Sequence, residues 1–443
     1  VKNELKTLSA VDAAAKIASG ALSSEQYVQA CLAQIVARDG DVRAFVRLAA
    51  DYAIQQARER DKQRIEGRTL GALHGIPVAL KDIFDTVDFT TENGSKLYTD
   101  RKPKQDATAV ARLRAAGAVI LGKTVTTECA FYFPGATRNP HDPTRTPGGS
   151  SSGSAAAVAA GMVPLALGSQ TNGSVIRPAA FCGVIGMKPS HGLISRARVL
   201  ALSGHLDHVG VFANTLPDVT LALDVLVGSD PDDPDTNGVE KSSFAHALTG
   251  SAKEPRLAFV RTPIWNKADP STRTAFENLA KKLGSAIVEI ELPGRFADAW
   301  PAHRTIMAAD MAKNLGPAAE RGGKEKSSEI LRNFLAEGRG IQPERYRAAV
   351  EEAEGLSAMF DEQFKDFEGI LTPAAIGVAP SIETTGDPMF CTLWTLLGVP
   401  AISLPLLRGD GGLPLGVQLV GCKGEDERLL RTADWLMRKL KPV

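Results

Sequence analysis

The segment Gly75-Ile76-Pro77-Val78-Ala79-Leu80 is a short apolar run between turn formers, and it ends on Lys81 and Asp82. Such a run reads as a strand buried on both faces. Residues 108–116 read as a helix closed by Gly117, and Ala118-Val119-Ile120-Leu121-Gly122 as a second buried strand. This strand–helix–strand order constrains the fold more than any other feature. Parallel neighbours need a crossover of helix length, so the order predicts α/β architecture with parallel pairing.

The flanking chain reads less sharply. Residues 1–64 are predicted helical. Ser9 and Gly20 cap a first helix, Ser23 and Gln26 form a capping box for a second, and residues 43–64 form a third. Residues 134–153 are rich in Pro, Gly, Ser and Thr and read as loop, and residues 154–161 as a small, buried helix. Residues 228–256 read as a polar surface excursion. Helices are expected over 268–284, 301–314, 342–365 and 425–440, and late strands over 368–373, 399–405 and 415–421. The segments richest in turn formers and buried strands span about 70–212, and without repeats or tails one domain over 1–443 is the simplest account.

Charge narrows the partners. There are 51 basic and 51 acidic residues, so the formal net charge is zero. No basic excess points to nucleic acid or an anionic membrane, and no run of about 18 apolar residues points to a membrane span. Cys31, Cys129, Cys182, Cys391 and Cys422 are scattered and odd in number. They read as reduced thiols of a cytoplasmic protein, not a disulfide framework or zinc site. The start at Val1, not Met, suggests a trimmed N-terminus. A homodimer remains open.

Three segments carry chemistry. Lys81 closes an apolar strand, where its charge is costly to desolvate. It reaches the surface, pairs with Asp82, or is held neutral, which needs a fall of about 3 units from ~10.4. Gly148-Gly149-Ser150-Ser151-Ser152-Gly153-Ser154 lacks the GKS or GKT ending of a phosphate-binding loop. It is either a linker or a close backbone approach that opens a helix. Gly168-Ser169-Gln170-Thr171-Asn172-Gly173-Ser174 is either a structural turn or one that exposes a serine beside several aimed N–H groups.

Together these segments resemble the amidase-signature family. The resemblance covers Gly75 to Asp82, Gly148 to Ser154 and Gly168 to Ala179. It continues through Phe181-Cys182-Gly183, Gly186-Met187-Lys188-Pro189, Leu206-Asp207-His208-Val209-Gly210, Gly398-Val399-Pro400-Ala401 and residues 412–418. It implies an α/β/α sandwich around a large mixed, mostly parallel sheet. It also implies a Ser–cisSer–Lys triad of Ser174 as nucleophile, Ser150 as bridge and Lys81 as base, without cofactor or metal. The backbone N–H groups of Thr171, Asn172, Gly173 and Ser174 are expected to hold the oxyanion. Ser151 is an alternative bridge. The implied activity is hydrolysis of a small amide, anilide, carbamate or urea-type bond through an acyl-enzyme. The alternative is the glutamine-hydrolysing component of a larger amidotransferase.

Some residues depart from the family pattern. Gln170 stands where an acid is usual, and Asn172 where a glycine is usual. The Ser174-Val175-Ile176-Arg177-Pro178 version is similar to the malonamidase branch, which implies that Arg177 meets a substrate carboxylate. A loop clamp is the competing role. Thr126 and Thr127 are candidate neighbours of the acyl site. His205, Asp207 and His208 offer no convincing third ligand for a metal. Phe390 and Trp394 are expected to pack in the core.

Overall fold

The computed structural model describes Leu5, residues 8–249 and residues 253–441. The strands are β1 (Phe45–Leu48), β2 (Pro77–Lys81), β3 (Val119–Thr124), β4 (Leu165–Gln170), β5 (Ile185–Lys188), β6 (His208–Ala213), β7 (Leu257–Arg261), β8 (Ile287–Glu291), β9 (Gly369–Pro373), β10 (Ala401–Arg408) and β11 (Pro414–Val420). They form one sheet in the order β1-β3-β2-β4-β6-β5-β10-β11-β9-β7-β8. Thirteen α-helices accompany it among the described residues. The expected large mixed α/β sheet is therefore present.

Its predicted parallel majority is not. Four pairings are parallel and six antiparallel. The parallel ones lie in two flanking sets, β3-β2-β4 and β9-β7-β8. Helices Thr108–Ala115 and Pro270–Leu283 supply the crossovers there. Between these sets, β4-β6-β5-β10-β11-β9 alternates in direction. Residues 409–413 are too short a connection to return β11 parallel to β10.

The N-terminal reading holds in its caps. Ser9 accepts from Asp12 N–H, Gly20 adopts φ 77°, and Ser23 with Gln26 closes a capping box. The third expected helix is corrected: Phe45–Leu48 is a strand, and the helix is Ala50–Ile65. Pairing of β1 with β3 at the sheet edge outweighs the local helical pattern. The four C-terminal helices and three late strands lie where expected, the long one extended to Ala299–Gly322. Strands β4 to β8 and helices Leu216–Leu226, Glu329–Arg339 and Met389–Leu396 had no sequence reading. Within the 228–256 excursion, residues 250–252 lie outside the described residues.

The functional segments meet where parallel strands end, the place where open α/β sheets present ligand crevices. Strand β2 is wholly buried and delivers Lys81 at its carboxyl end, in register with Thr124 of β3. Beside it, β4 ends at Gln170. Helix Ser152–Ala159 packs against both strands because it is built of Ser, Gly, Ala and Val. Its serines peg it to the sheet. Ser154 Oγ donates to Leu167 O at 2.8 Å and lies 2.7 Å from Thr124 Oγ1, and Ser152 Oγ donates to Val125 O at 3.2 Å. A Cβ at Gly153 would lie 2.2 Å from Ala44 O and 2.5 Å from Val125 N. Gly153→Ala is therefore expected to cost about 1–3 kcal/mol through overpacking against backbone. Denaturant unfolding of the variant checks this.

Candidate active site

Lys81 is fully buried and closes on two hydroxyls. Its Nζ donates to Ser150 Oγ at 2.7 Å and to Ser169 Oγ at 2.8 Å. The expected surface partner, Asp82, pairs instead with Lys123 at 3.1 Å. Burial pushes the Lys81 pKa well below its ordinary value, and the negative charge of Asp207 opposes that fall only in part. A neutral amine in contact with a serine hydroxyl is a base.

Ser150 follows a cis Gly149–Ser150 peptide. Its carbonyl accepts from Thr127 N–H at 3.3 Å. Gly148 has φ +83°, and a Cβ there would lie 2.8 Å from Pro178 Cα. A Cβ on Gly149 would lie 2.9 Å from Thr127 Cγ2 and 3.0 Å from Thr385 Cγ2. The paired glycines thus serve the close-approach reading, not a linker. Ser151 is committed elsewhere: its Oγ donates to Ser169 O and accepts from Ser169 N–H, both at 3.2 Å. Lys81 bonds to Ser150 and not to Ser151.

Ser174 lies in the turn between β4 and helix Ile176–Cys182. Its Oγ has no hydrogen-bond partner among the described residues and is not sealed from the accessible space. The Ser150–Ser174 bond expected from the sequence is not formed in this structure, so one of the two links is in place. Contacts of this kind tighten when substrate fills a site. None of the N–H groups of Thr171, Asn172, Gly173 and Ser174 has an acceptor among the described residues. Consecutive N–H groups without acceptors beside a serine are the kind of donor set that an oxyanion requires.

Gln170 explains how this turn is held. Its Oε1 accepts from Val175 N–H at 2.8 Å and Ile176 N–H at 3.0 Å, and its Nε2 donates to Thr395 Oγ1 at 2.9 Å. Glutamine thus caps the following helix without a charge and gains a donor that an acid lacks. Thr395 Oγ1 also donates to Asn172 O. Asn172 Oδ1 accepts from Thr392 Oγ1 at 2.8 Å, and His303 Nε2 lies 2.9 Å from Thr171 O. Burial lowers the His303 pKa to about 4, so the ring is neutral at neutral pH and holds the peptide as a donor.

A cavity of about 970 Å3 opens beside this turn. Asn172, Tyr132, Phe133, Trp300, Met307 and Phe334 are among the side chains that line it. Thr126 and Thr127 do not. Thr127 Oγ1 donates to Phe131 O, and Thr126 packs against Gly94. They support the site from behind, and residues 132–134 form the wall instead. Phe390 and Trp394 are core residues, as expected.

Arg177 is 1% exposed and donates from Nη2 to Gly149 O at 2.7 Å. Its Nε and Nη1 have no partner among the described residues. Asp207 accepts from Thr171 Oγ1 at 2.6 Å and from Leu202 and Ser203 N–H. His208 Nδ1 lies 2.7 Å from Leu206 O.

A family model described as Amidase matches residues 26–430. The chain belongs to the amidase-signature family. A glutamyl-tRNA(Gln) amidotransferase subunit of Chloroflexus aurantiacus is 35% identical to it over 98% of this chain and 97% of the relative. The corresponding subunit of Anaeromyxobacter sp. strain K is 36% identical over 99% and 98%. Among solved structures, the peptide amidase of Stenotrophomonas maltophilia superposes on this amidase with TM-score 0.86 at 28% identity, covering 98% of this chain and 97% of that chain.

Ser169, His303 and the aromatic wall had no role in the sequence reading, and Asp207 was weighed there only as a metal ligand beside His205 and His208. Ser169 and Asp207 lie inside the motifs, but spacing alone does not say which hydroxyl meets the lysine. Replacing Gln170 by leucine strands the N–H groups of Val175 and Ile176. The expected loss is about 1–3 kcal/mol for each unmet buried donor, read as a lowered midpoint in denaturant unfolding. Gln170→Glu, which keeps the acceptor, is expected to lose less.

Proposed function

We propose that this amidase hydrolyses a carboxamide through an acyl-enzyme on Ser174. The observation that carries the reading is the buried Lys81 amine, 2.7 Å from Ser150 Oγ and without a paired carboxylate. Lys81 takes the proton of Ser150 as Ser150 takes that of Ser174. Ser174 Oγ then bonds to the amide carbon, and the free N–H groups of residues 171–174 receive the oxyanion. The proton returns through the same relay to the leaving nitrogen. Water, activated by the same groups, releases the acid.

For the substrate, the curated relatives favour the amidotransferase alternative over a small amide, anilide or carbamate. They match nearly end to end, and each is one subunit of a glutamyl-tRNA(Gln) amidotransferase. On this reading the chain supplies ammonia from glutamine within a complex. A second reading, a stand-alone hydrolase with a malonamidase-like taste for acidic substrates, is favoured by Arg177. Its Nε and Nη1 are buried without a partner among the described residues, and a carboxylate that reached them would complete their hydrogen bonding.

Ammonia release by the purified chain separates these readings. Turnover of glutamine only in the presence of partner proteins supports the first. Turnover of malonamate by the chain alone supports the second. Arg177→Ala is expected on the second reading to cost about 10–100-fold more on acid-bearing amides than on neutral ones, matching a charged hydrogen bond of about 1.5–3 kcal/mol. Equal losses leave Arg177 as the clamp on Gly149.

Both readings share a test of mechanism. Ser174→Ala is expected to lower kcat by roughly 10^4-fold or more, and Lys81→Met by about 10^2–10^4-fold. The active lysine is the neutral form. Activity should therefore fall as pH drops through the depressed Lys81 pKa, with the acid limb well below the free-lysine value of ~10.4. Undiminished hydrolysis by Ser174→Ala contradicts the reading.

A further inference from the structure

The Lys81 amine has a second partner that this relay does not use. Ser169 Oγ accepts from Lys81 Nζ at 2.8 Å, almost as close as Ser150 at 2.7 Å. Among the described residues, no acceptor takes the Ser169 hydroxyl proton. Ser169 also lines a second cavity of about 190 Å3. That cavity shares no lining residue with the 970 Å3 cavity. Water occupies about 30 Å3 in the liquid, and polar cavities of this size hold it.

The wall is polar. Arg196 pairs with Asp233 at 2.7 Å, and Asp232 pairs with Arg198 at 2.6 Å. His208 and Thr171 also line the cavity. Among the described residues, Asp207 is the wall's one acid with no cation partner; it is partly open, and it is the charge felt at Lys81. Burial raises Asp207 to about 6, and its hydrogen bonds from Thr171 and the 202–203 backbone oppose that rise. Asp82, next to Lys81 in the sequence, is neutralised by Lys123.

We propose that this second cavity is a water-filled proton-exchange chamber for Lys81, with Ser169 as the positioning residue that joins the buried amine to it. The inference rests on the reading of Lys81 as base. Protonated Lys81 breaks an Nζ–H bond, and that proton bonds to Ser169 Oγ. The Ser169 O–H bond breaks as its proton passes to a cavity water, which leaves as hydronium. Lys81 keeps the nitrogen electron pair and presents it to Ser150. The lysine thereby reaches its neutral form while substrate fills the other cavity. Ser169 also fixes the amine so that its lone pair points at Ser150.

The test is the pH profile of amide hydrolysis by the full chain, with Ser169→Ala, Ser169→Thr and Ala201→Trp. Ala201 lies on the exposed rim of the second cavity. Ser169→Ala is expected to lower kcat at least 10-fold with KM within 2-fold. Its acid limb should move to lower pH, because the ammonium form loses an acceptor. Ser169→Thr restores the hydroxyl, the rate and the limb. Ala201→Trp should lower kcat at least 3-fold with KM unchanged. An unmoved acid limb in Ser169→Ala, a loss confined to KM, or a wild-type kcat in Ala201→Trp overturns the proposal. Ser174→Ala run in parallel keeps the cases apart: if it stays active, the underlying mechanism fails whatever the other variants do.

Discussion

A cationic side chain sealed in the interior without a counterion is the constraint on which the site depends. An isolated ammonium in a medium of low dielectric is too costly to keep, so the group gives up its proton instead. Lys81 meets that condition with two serine hydroxyls as its only hydrogen-bond partners among the described residues and Asp207 as the charge it feels. The surrounding fold maintains it. Strand β2 carries the lysine between two parallel neighbours, and the small helix Ser152–Ala159 closes over the strand ends. Asp82, the nearest carboxylate in sequence, is diverted to Lys123.

The serine-rich segment is then more than a flexible loop. Ser150 faces the amine, Ser151 grips the Ser169 backbone, and Ser152 and Ser154 hold carbonyls of the β3–helix connection and β4. Each hydroxyl replaces a hydrogen bond that an alanine would leave unmet. The same economy holds the 171–174 turn. Gln170, Thr392, Thr395 and His303 occupy carbonyls, side chains and the next helix's first N–H groups. Among the described residues the four N–H groups inside the turn are left unused, which fits them for a developing negative charge.

Much of this was legible in the sequence because local chemistry is legible. The apolar run ending on Lys81, the glycine pairs and the Ser9, Gly20 and Ser23 caps each state a backbone requirement within a few residues. What failed depended on distant partners. Phe45–Leu48 becomes a strand only because β3 offers it an edge. The antiparallel centre of the sheet follows from short connections late in the chain, and a strand–helix–strand unit at residues 75–122 does not report them. Ser169 and the cavity walls are set by which faces of β4, β6 and the 132–134 loop meet, and spacing does not encode that. The Ser150–Ser174 contact is the case where motif position implies a bond that the structure does not form.

The most direct measurement is covalent trapping of the nucleophile across pH. A small fluorophosphonate reacts with an activated serine, and mass spectrometry of the digested protein locates the label. A neutral Lys81 acting as base predicts a single label on Ser174, with a rate that falls on the acid side as Lys81 gains its proton and that collapses in Lys81→Met. Labelling of another residue, or a Ser174 rate indifferent to both pH and Lys81, would contradict it.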